Sequence, residues 1–120
     1  ITDNEAVTNY FEKNKIDVLF NCAAYTQVDK AENDEIAAYQ VNAEACKYLA
    51  EACNTNNTLF VHISTDFVFD GTKGTPYKTD DATAALGVYG KSKLKGESYV
   101  QQIAKRYVII RTAWVYSPFY

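Results

Sequence analysis

Leu59-Phe60-Val61-His62-Ile63-Ser64 is a short, near-continuous apolar run that closes on a hydroxyl. Apolar residues at both parities of such a run describe a strand buried on both faces, which is the habit of parallel sheets. Two similar runs flank it, Asp17-Val18-Leu19-Phe20-Asn21 upstream and Tyr107-Val108-Ile109-Ile110-Arg111 downstream. The stretches between them have helical spacing. From about Glu35 to Asn54 the apolar positions Ile36, Ala37, Tyr39, Ala43, Cys46, Leu49, Ala50 and Cys53 follow one face, and the polar run 54–57 stops them. A second helical pattern runs from about Val88 to Lys105. Ahead of the first strand, Thr2 and Glu5 stand at capping-box spacing and predict a helix to about Lys13, with Ala6, Val7, Tyr10 and Phe11 on its apolar face. The resulting order, α-β-α-β-α-β, predicts an α/β fold: a doubly wound parallel sheet with helices on both faces. Ligands of such sheets gather beyond the carboxyl ends of the strands, here from Asn21, Ser64 and Arg111 onward.

Composition removes several classes of function. At 120 residues the chain suffices for one domain and not for two. Its net charge of -3 and pI near 5.1 argue against a nucleic-acid partner. No apolar run approaches the roughly 20 residues of a membrane span. The three cysteines, Cys22, Cys46 and Cys53, lack Cys-x-x-Cys spacing and read as reduced core residues. With His62 as the single histidine, no His-based metal cluster and no Ser-His-Asp hydrolase can be assembled from this chain alone, and no metal is expected. Without a charged-then-apolar leader, the expected location is cytoplasmic. The absence of methionine makes Ile1 an improbable natural start. The segment holding Gly71, Gly74, Pro76 and the Asp80-Asp81 pair has turn chemistry and reads as a functional loop.

Tyr89-Gly90-Lys91-Ser92-Lys93 opens the last helix and puts a phenol and an ammonium on one face at i,i+4 spacing. A close ammonium favours the phenolate, and such a pair suits proton donation to a carbonyl or its reverse. Chance alone supplies roughly one such pair in a chain of this composition, so the pair needs company. Ser64-Thr65-Asp66, at the end of the central strand, offers hydroxyls where a substrate carbonyl would sit, and equally suits a helix or turn cap. Asn21-Cys22-Ala23-Ala24 ends the first strand with small side chains that admit a dinucleotide close to the backbone, or simply permit close packing. Trp114 could stack on a sugar or base, or fill a core.

Taken in order, the segments Asn21-Cys22-Ala23-Ala24-Tyr25-Thr26-Gln27-Val28-Asp29-Lys30-Ala31-Glu32, Val41-Asn42-Ala43, Ser64-Thr65-Asp66-Phe67-Val68-Phe69-Asp70-Gly71, Val88-Tyr89-Gly90-Lys91-Ser92-Lys93 and Arg111-Thr112-Ala113-Trp114-Val115-Tyr116 closely resemble the dTDP-4-dehydrorhamnose reductase family of extended short-chain dehydrogenases. The resemblance covers nearly the whole chain. It implies reduction of the 4-keto group of dTDP-4-dehydro-L-rhamnose to dTDP-L-rhamnose, in rhamnose biosynthesis, with hydride from NADPH or NADH. It further implies that Tyr89 is the proton donor, that Lys93 lowers its pKa and holds the nicotinamide ribose, and that Thr65 hydrogen-bonds the substrate carbonyl. Ala23, Ala24, Tyr25, Thr26 and Asn42 are implied to line the cofactor, and Thr65, Asp66 and Trp114 to contact a dTDP-linked deoxyketosugar. In similar 4,6-dehydratases a glutamate follows the Thr-Asp pair; Phe67 stands there instead, which favours simple reduction. A homodimer is compatible with the resemblance. Alternatives are a reductase of another nucleotide-linked ketosugar and a non-catalytic regulatory subunit like that of methionine adenosyltransferase.

Members of this family begin with a strand and a glycine-rich turn that cradles the cofactor pyrophosphate, whereas no glycine precedes Gly71 here. Residues 1–120 are therefore expected to be the central part of one NAD(P)-binding, Rossmann-like domain, with the first βαβ unit and the carboxyl-terminal substrate lobe missing. That piece alone is expected to be inactive.

Overall fold

The computed structural model describes residues 1–115. Helix α1 (Asn4–Lys13) leads into strand β1 (Val18–Asn21), and a short helix α2 (Val28–Ala31) follows. Helices α3 (Glu35–Tyr39) and α4 (Ala45–Thr55) are joined by a π-helical segment, Gln40–Glu44. Strand β2 (Leu59–Thr65) passes into a 3₁₀ turn at Asp66–Val68; helix α5 (Val88–Ile103) and strand β3 (Tyr107–Thr112) complete the order.

The strands form one parallel sheet in the order β1-β2-β3, as the apolar runs predict. Val18 pairs with Leu59 and Asn21 with His62 on one side of β2; Phe60 pairs with Tyr107 and Thr65 with Thr112 on the other. This register puts Leu19, Phe60, His62 and Ile109 on one face, because side chains two apart share a side. That face receives the helices. Val7 and Phe11 of α1, Cys46, Leu49 and Cys53 of α4, and Val100 of α5 form a single buried cluster with Phe60. On the other face Val18, Phe20, Val108 and Ile110 are exposed, Phe20 to 65%. Among the described residues, then, helices lie against one face, where the continuous apolar runs predict two.

The local structure departs from the sequence-based expectations at four points. The cap of α1 is Asp3, one residue later than predicted: its carboxylate accepts from the main-chain N–H of Ala6 at 3.0 Å. The predicted Glu35–Asn54 helix is present but carries the π segment in its middle. Apolar periodicity does not register one extra residue in a turn. Helix α2, a single turn, is too short for its period to be visible in the sequence. Of the three cysteines, Cys46 and Cys53 are buried, and burial pushes their thiols up to about 11 and about 12. Cys22 is exposed beyond β1 and is not a core residue.

Helix α5 is anchored to the sheet by an ion pair. Arg111 on β3 grips Glu97 through two nitrogens, Nη2 to Oε2 at 2.7 Å and Nε to Oε1 at 3.0 Å, with the carboxylate 1% exposed. Burial of a carboxylate is tolerable here because the guanidinium pairs with it at both oxygens. The same guanidinium lies 5.0 Å from the Phe69 ring centre, and Phe69 stacks on Tyr77. The loop following β2 is thereby fastened to the sheet edge. Tyr77 and Thr72 both donate to the Asp70 carboxylate, which holds it below its usual range.

Candidate active site

The carboxyl ends of β1, β2 and β3 open onto a cleft of about 300 Å³. Its walls include Cys22, Ala24, Thr26 and Val28 from the segment after β1; Ser64 and Thr65 from the end of β2, with Asp66 and Phe67 from the turn that follows; Tyr89 and Lys93 from α5; and Thr112 from the end of β3, with Trp114 just beyond it. Parallel strands bring these segments to one edge of the sheet although they are far apart in sequence.

Tyr89 and Lys93 share a wall because both lie in the first turns of α5. Lys93 is 2% exposed, and its ammonium donates to the main-chain carbonyl of Ile63 at 2.7 Å. Burial depresses its pKa, and the nearby Cys46 and Glu97 partly offset this. An ammonium carries three donors, so further donors remain after the bond to Ile63. The Tyr89 ring meets the Phe67 ring edge-on, with centres 5.5 Å apart. Phe67 is half exposed and forms an apolar flank of the cleft.

Thr65 ends β2 in extended geometry and caps the 3₁₀ turn: Phe67 N–H donates to its Oγ1 at 3.2 Å, and Oγ1–H donates to Asp66 Oδ1 at the same distance. Thr65 is thus a cap, and it also lines the cleft. Ser64 Oγ, by contrast, is buried and has no partner. A buried hydroxyl left unmet at the rim of a cleft is a group with hydrogen-bonding capacity to spare.

The segment after β1 is held from below. Asn42, fully buried in the π segment, accepts from the Tyr25 N–H at 2.8 Å and donates to the Tyr25 carbonyl at 3.1 Å. Its amide also donates to Ser92 Oγ at 3.0 Å. The Asn42 side chain is thus committed to protein groups, fixing the loop rather than facing the cleft. Ala24 and Thr26 line the cleft; Ala23 and Tyr25, of opposite parity, do not. The Tyr25 hydroxyl turns away to donate to Asp34 at 3.1 Å, and burial together with that carboxylate raises its pKa. Trp114 is 92% exposed with a left-handed φ of 50°, so it is no core residue and stands beside the cleft. Tyr116, the last residue of the quoted Arg-Thr-x-Trp motif, lies outside the described residues.

Sequence reasoning did not single out Val28, Ser64 by itself, or Thr112, all of which line the cleft. Their signal was positional: each lies within a residue or two of a motif already marked. Among the described residues no group of His, Cys, Asp and Glu side chains is arranged to hold a metal ion, and no helix is long and apolar enough to cross a membrane. Small side chains at Cys22 and Ala24, donors remaining on Lys93 and the unpartnered Ser64 hydroxyl suit the nicotinamide-ribose half of a dinucleotide.

The chain matches the RmlD substrate binding domain over residues 1–119. It is 41% identical over 119 residues to a dTDP-4-dehydrorhamnose reductase of Aggregatibacter actinomycetemcomitans, covering 99% of this chain and 40% of that protein. It superposes with a TM-score of 0.95 on the crystal structure of a dTDP-4-dehydrorhamnose reductase from Clostridium acetobutylicum, at 42% identity and covering 98% of this chain and 42% of the other. A Bacillus anthracis dTDP-4-dehydrorhamnose reductase in complex with NADP superposes with a TM-score of 0.94 at 35% identity, covering 96% and 41% of the two chains. The chain thus spans about two fifths of the length of these relatives. With the match running through every strand and helix described above, the chain belongs to the RmlD substrate binding domain family.

Proposed function

We propose that the protein containing this chain reduces the 4-keto group of dTDP-4-dehydro-L-rhamnose to give dTDP-L-rhamnose. The observation that carries this reading is the meeting of Thr65, Tyr89 and Lys93 in one strand-end cleft, with Phe67 where a dehydratase would carry a glutamate. The proposed cofactor is NADPH, the Bacillus anthracis relative being one that binds NADP. When bound, the reduced nicotinamide supplies the hydride.

Tyr89 in this reading gives its phenolic proton to the carbonyl oxygen as that oxygen becomes an alkoxide. Lys93 keeps a positive charge beside the phenol and offers its remaining N–H donors to the nicotinamide ribose. Thr65 Oγ1 hydrogen-bonds the carbonyl oxygen and aligns it with Tyr89. This requires the hydroxyl to exchange its bond to Asp66, an exposed carboxylate that water can serve instead. Asp66 and Trp114 contact the sugar nucleotide, and Ala24 and Thr26 border the cofactor. Asn42 contributes by holding Tyr25 in place, and Ala23 and Tyr25 contribute backbone to the same loop. Phe67 supplies no carboxylate to take a proton from the ring carbon, so elimination of water does not compete.

The test uses the full-length protein with NADPH and dTDP-4-dehydro-L-rhamnose. Formation of dTDP-L-rhamnose, matched mole for mole by NADPH consumed, supports the reading. NADPH consumed only with a different nucleotide-linked ketosugar transfers it to a sibling reductase. No consumption with any such sugar overturns it.

A further inference from the structure

We propose that Glu32 is a positioning residue for the reaction, coupling the cofactor-side loop to the helix that carries the proton donor. The inference rests on the reductase reading above. Helix α5 has 16 residues and its N-cap is Gly87, which has no side chain to satisfy the free N–H groups of the first turn. The acceptor comes instead from 56 residues upstream: Glu32 Oε1 accepts from the Val88 N–H at 2.8 Å. A carboxylate at this end of a helix is also favoured by the helix dipole.

The glycine at 87 belongs to the same arrangement. A Cβ added there would lie 2.8 Å from Glu32 Oε1, so a residue able to cap α5 from its own chain position would displace the carboxylate that does so from outside. Gly90, on the far side of Tyr89, is equally constrained, since a Cβ there would approach the Phe67 carbonyl oxygen to 2.3 Å. The turn bearing Tyr89 is therefore held between Glu32, beside the loop after β1, and the 3₁₀ turn at the end of β2. A second tie runs in parallel. Ser92 Oγ–H donates to the Tyr89 carbonyl at 2.8 Å and accepts from Asn42, which clamps Tyr25. The segment after β1 and helix α5 are thus joined at two points, Tyr25 and Glu32, and the phenol is thereby fixed relative to whatever the loop holds.

A cap that merely stabilised α5 could be replaced by one supplied locally; a coupling device could not. That difference sets the experiment, carried out on the full-length protein with NADPH and the dTDP-ketosugar. Glu32→Ala is expected to lower kcat roughly ten- to a hundredfold, the scale of a misplacement near 1 Å, and to raise KM for NADPH. Glu32→Gln, which keeps an acceptor oxygen, is expected to retain most of the activity. The double variant Glu32→Ala/Gly87→Ser restores a cap in place, and is expected to recover the thermal midpoint but not kcat. Recovery of both would reduce Glu32 to an ordinary cap and overturn the inference, as would wild-type kcat in Glu32→Ala. Absence of turnover in the wild type would overturn the reductase reading, and the inference with it.

Discussion

Lys93 and Ile63 are joined by a 2.7 Å hydrogen bond from a nearly fully buried ammonium to a main-chain carbonyl of the central strand. The bond ties the second turn of α5, on the face that carries Tyr89 and Lys93, to the strand that ends in Thr65. It also fixes the charge at a cost, because burial makes the ammonium less favourable than in water and depresses its pKa.

From this follows a divergence between activity and stability in Lys93→Met. Turnover is expected to fall by at least about a hundredfold, the low end of what a proton-transfer assembly contributes. The denaturation midpoint near neutral pH is expected to hold or rise, because methionine fills the space without an ammonium to desolvate. For a lysine with a depressed native pKa, the unfolded chain binds the extra proton between that pKa and 10.5, so this penalty lessens as pH rises through the window. Urea titrations of the full-length wild type and variant, with kcat measured on the same samples, check it. A parallel fall in both quantities would make Lys93 a structural residue.

His62 carries a pH signature of its own. It is fully buried behind the site, 3.2 Å from the Asn21 amide through Nδ1, and burial with the Lys93 charge lowers its pKa from 6.5 to about 3. Between those values the unfolded chain takes up a proton that the native state refuses. Its contribution is therefore complete above pH 6.5 and is lost as pH falls toward 3, with a slope of at most about 1.4 kcal/mol per pH unit. Stability of the full-length protein should decline from pH 7 to pH 5 more steeply in the wild type than in His62→Gln. Asp70 and Asp81, whose pKa values are lowered from 3.8, act below this window. Equal slopes for the two proteins would show that His62 is not held neutral.

Thr65 has two duties, capping the 3₁₀ turn and lining the cleft, and substitution separates them. Thr65→Ser keeps the hydroxyl and is expected to stay within about fivefold of wild-type kcat. Thr65→Val removes the cap bond and the carbonyl's partner together, and is expected to lose about a hundredfold or more in kcat, beyond the roughly 0.5–2 kcal/mol that a cap contributes to stability. Equal kcat values for the two variants, with only the midpoint differing, would leave Thr65 as a cap alone.

The sheet was legible because strand parity and apolar runs are properties of neighbouring residues: Val18–Asn21, Leu59–Thr65 and Tyr107–Thr112 lie within a residue of where periodicity puts them. So was the cleft, since a parallel sheet gathers its strand ends at one edge and thereby brings Thr65 to Tyr89 and Lys93. What the sequence concealed depends on distant partners. Asn42 was marked for its place near a cofactor, but its amide is spent on Tyr25 and Ser92, a bonding pattern that only the π segment's fold presents. Glu32 stands in the sequence only as the last residue of the Asn21–Glu32 segment; its bond to the Val88 N–H appears only when the chain has closed over 56 residues. The asymmetry of the sheet was likewise hidden, because Phe20 and Ile110 look like core in any local window yet are exposed here.

Tyr89 is the proposed proton donor in reduction of the ketosugar, and Tyr89→Phe tests that role with the least disturbance. The ring and its edge-on contact with Phe67 survive the change; only the hydroxyl is lost. Steady-state kcat for NADPH-dependent reduction of dTDP-4-dehydro-L-rhamnose should be measured on full-length wild type and variant, with NADPH affinity determined by fluorescence titration of both. The predicted result is a fall in kcat of about 10²–10⁴-fold with affinity nearly unchanged. A variant turning over within a factor of about two of wild type, outside any range expected for loss of a general acid, would contradict the claim.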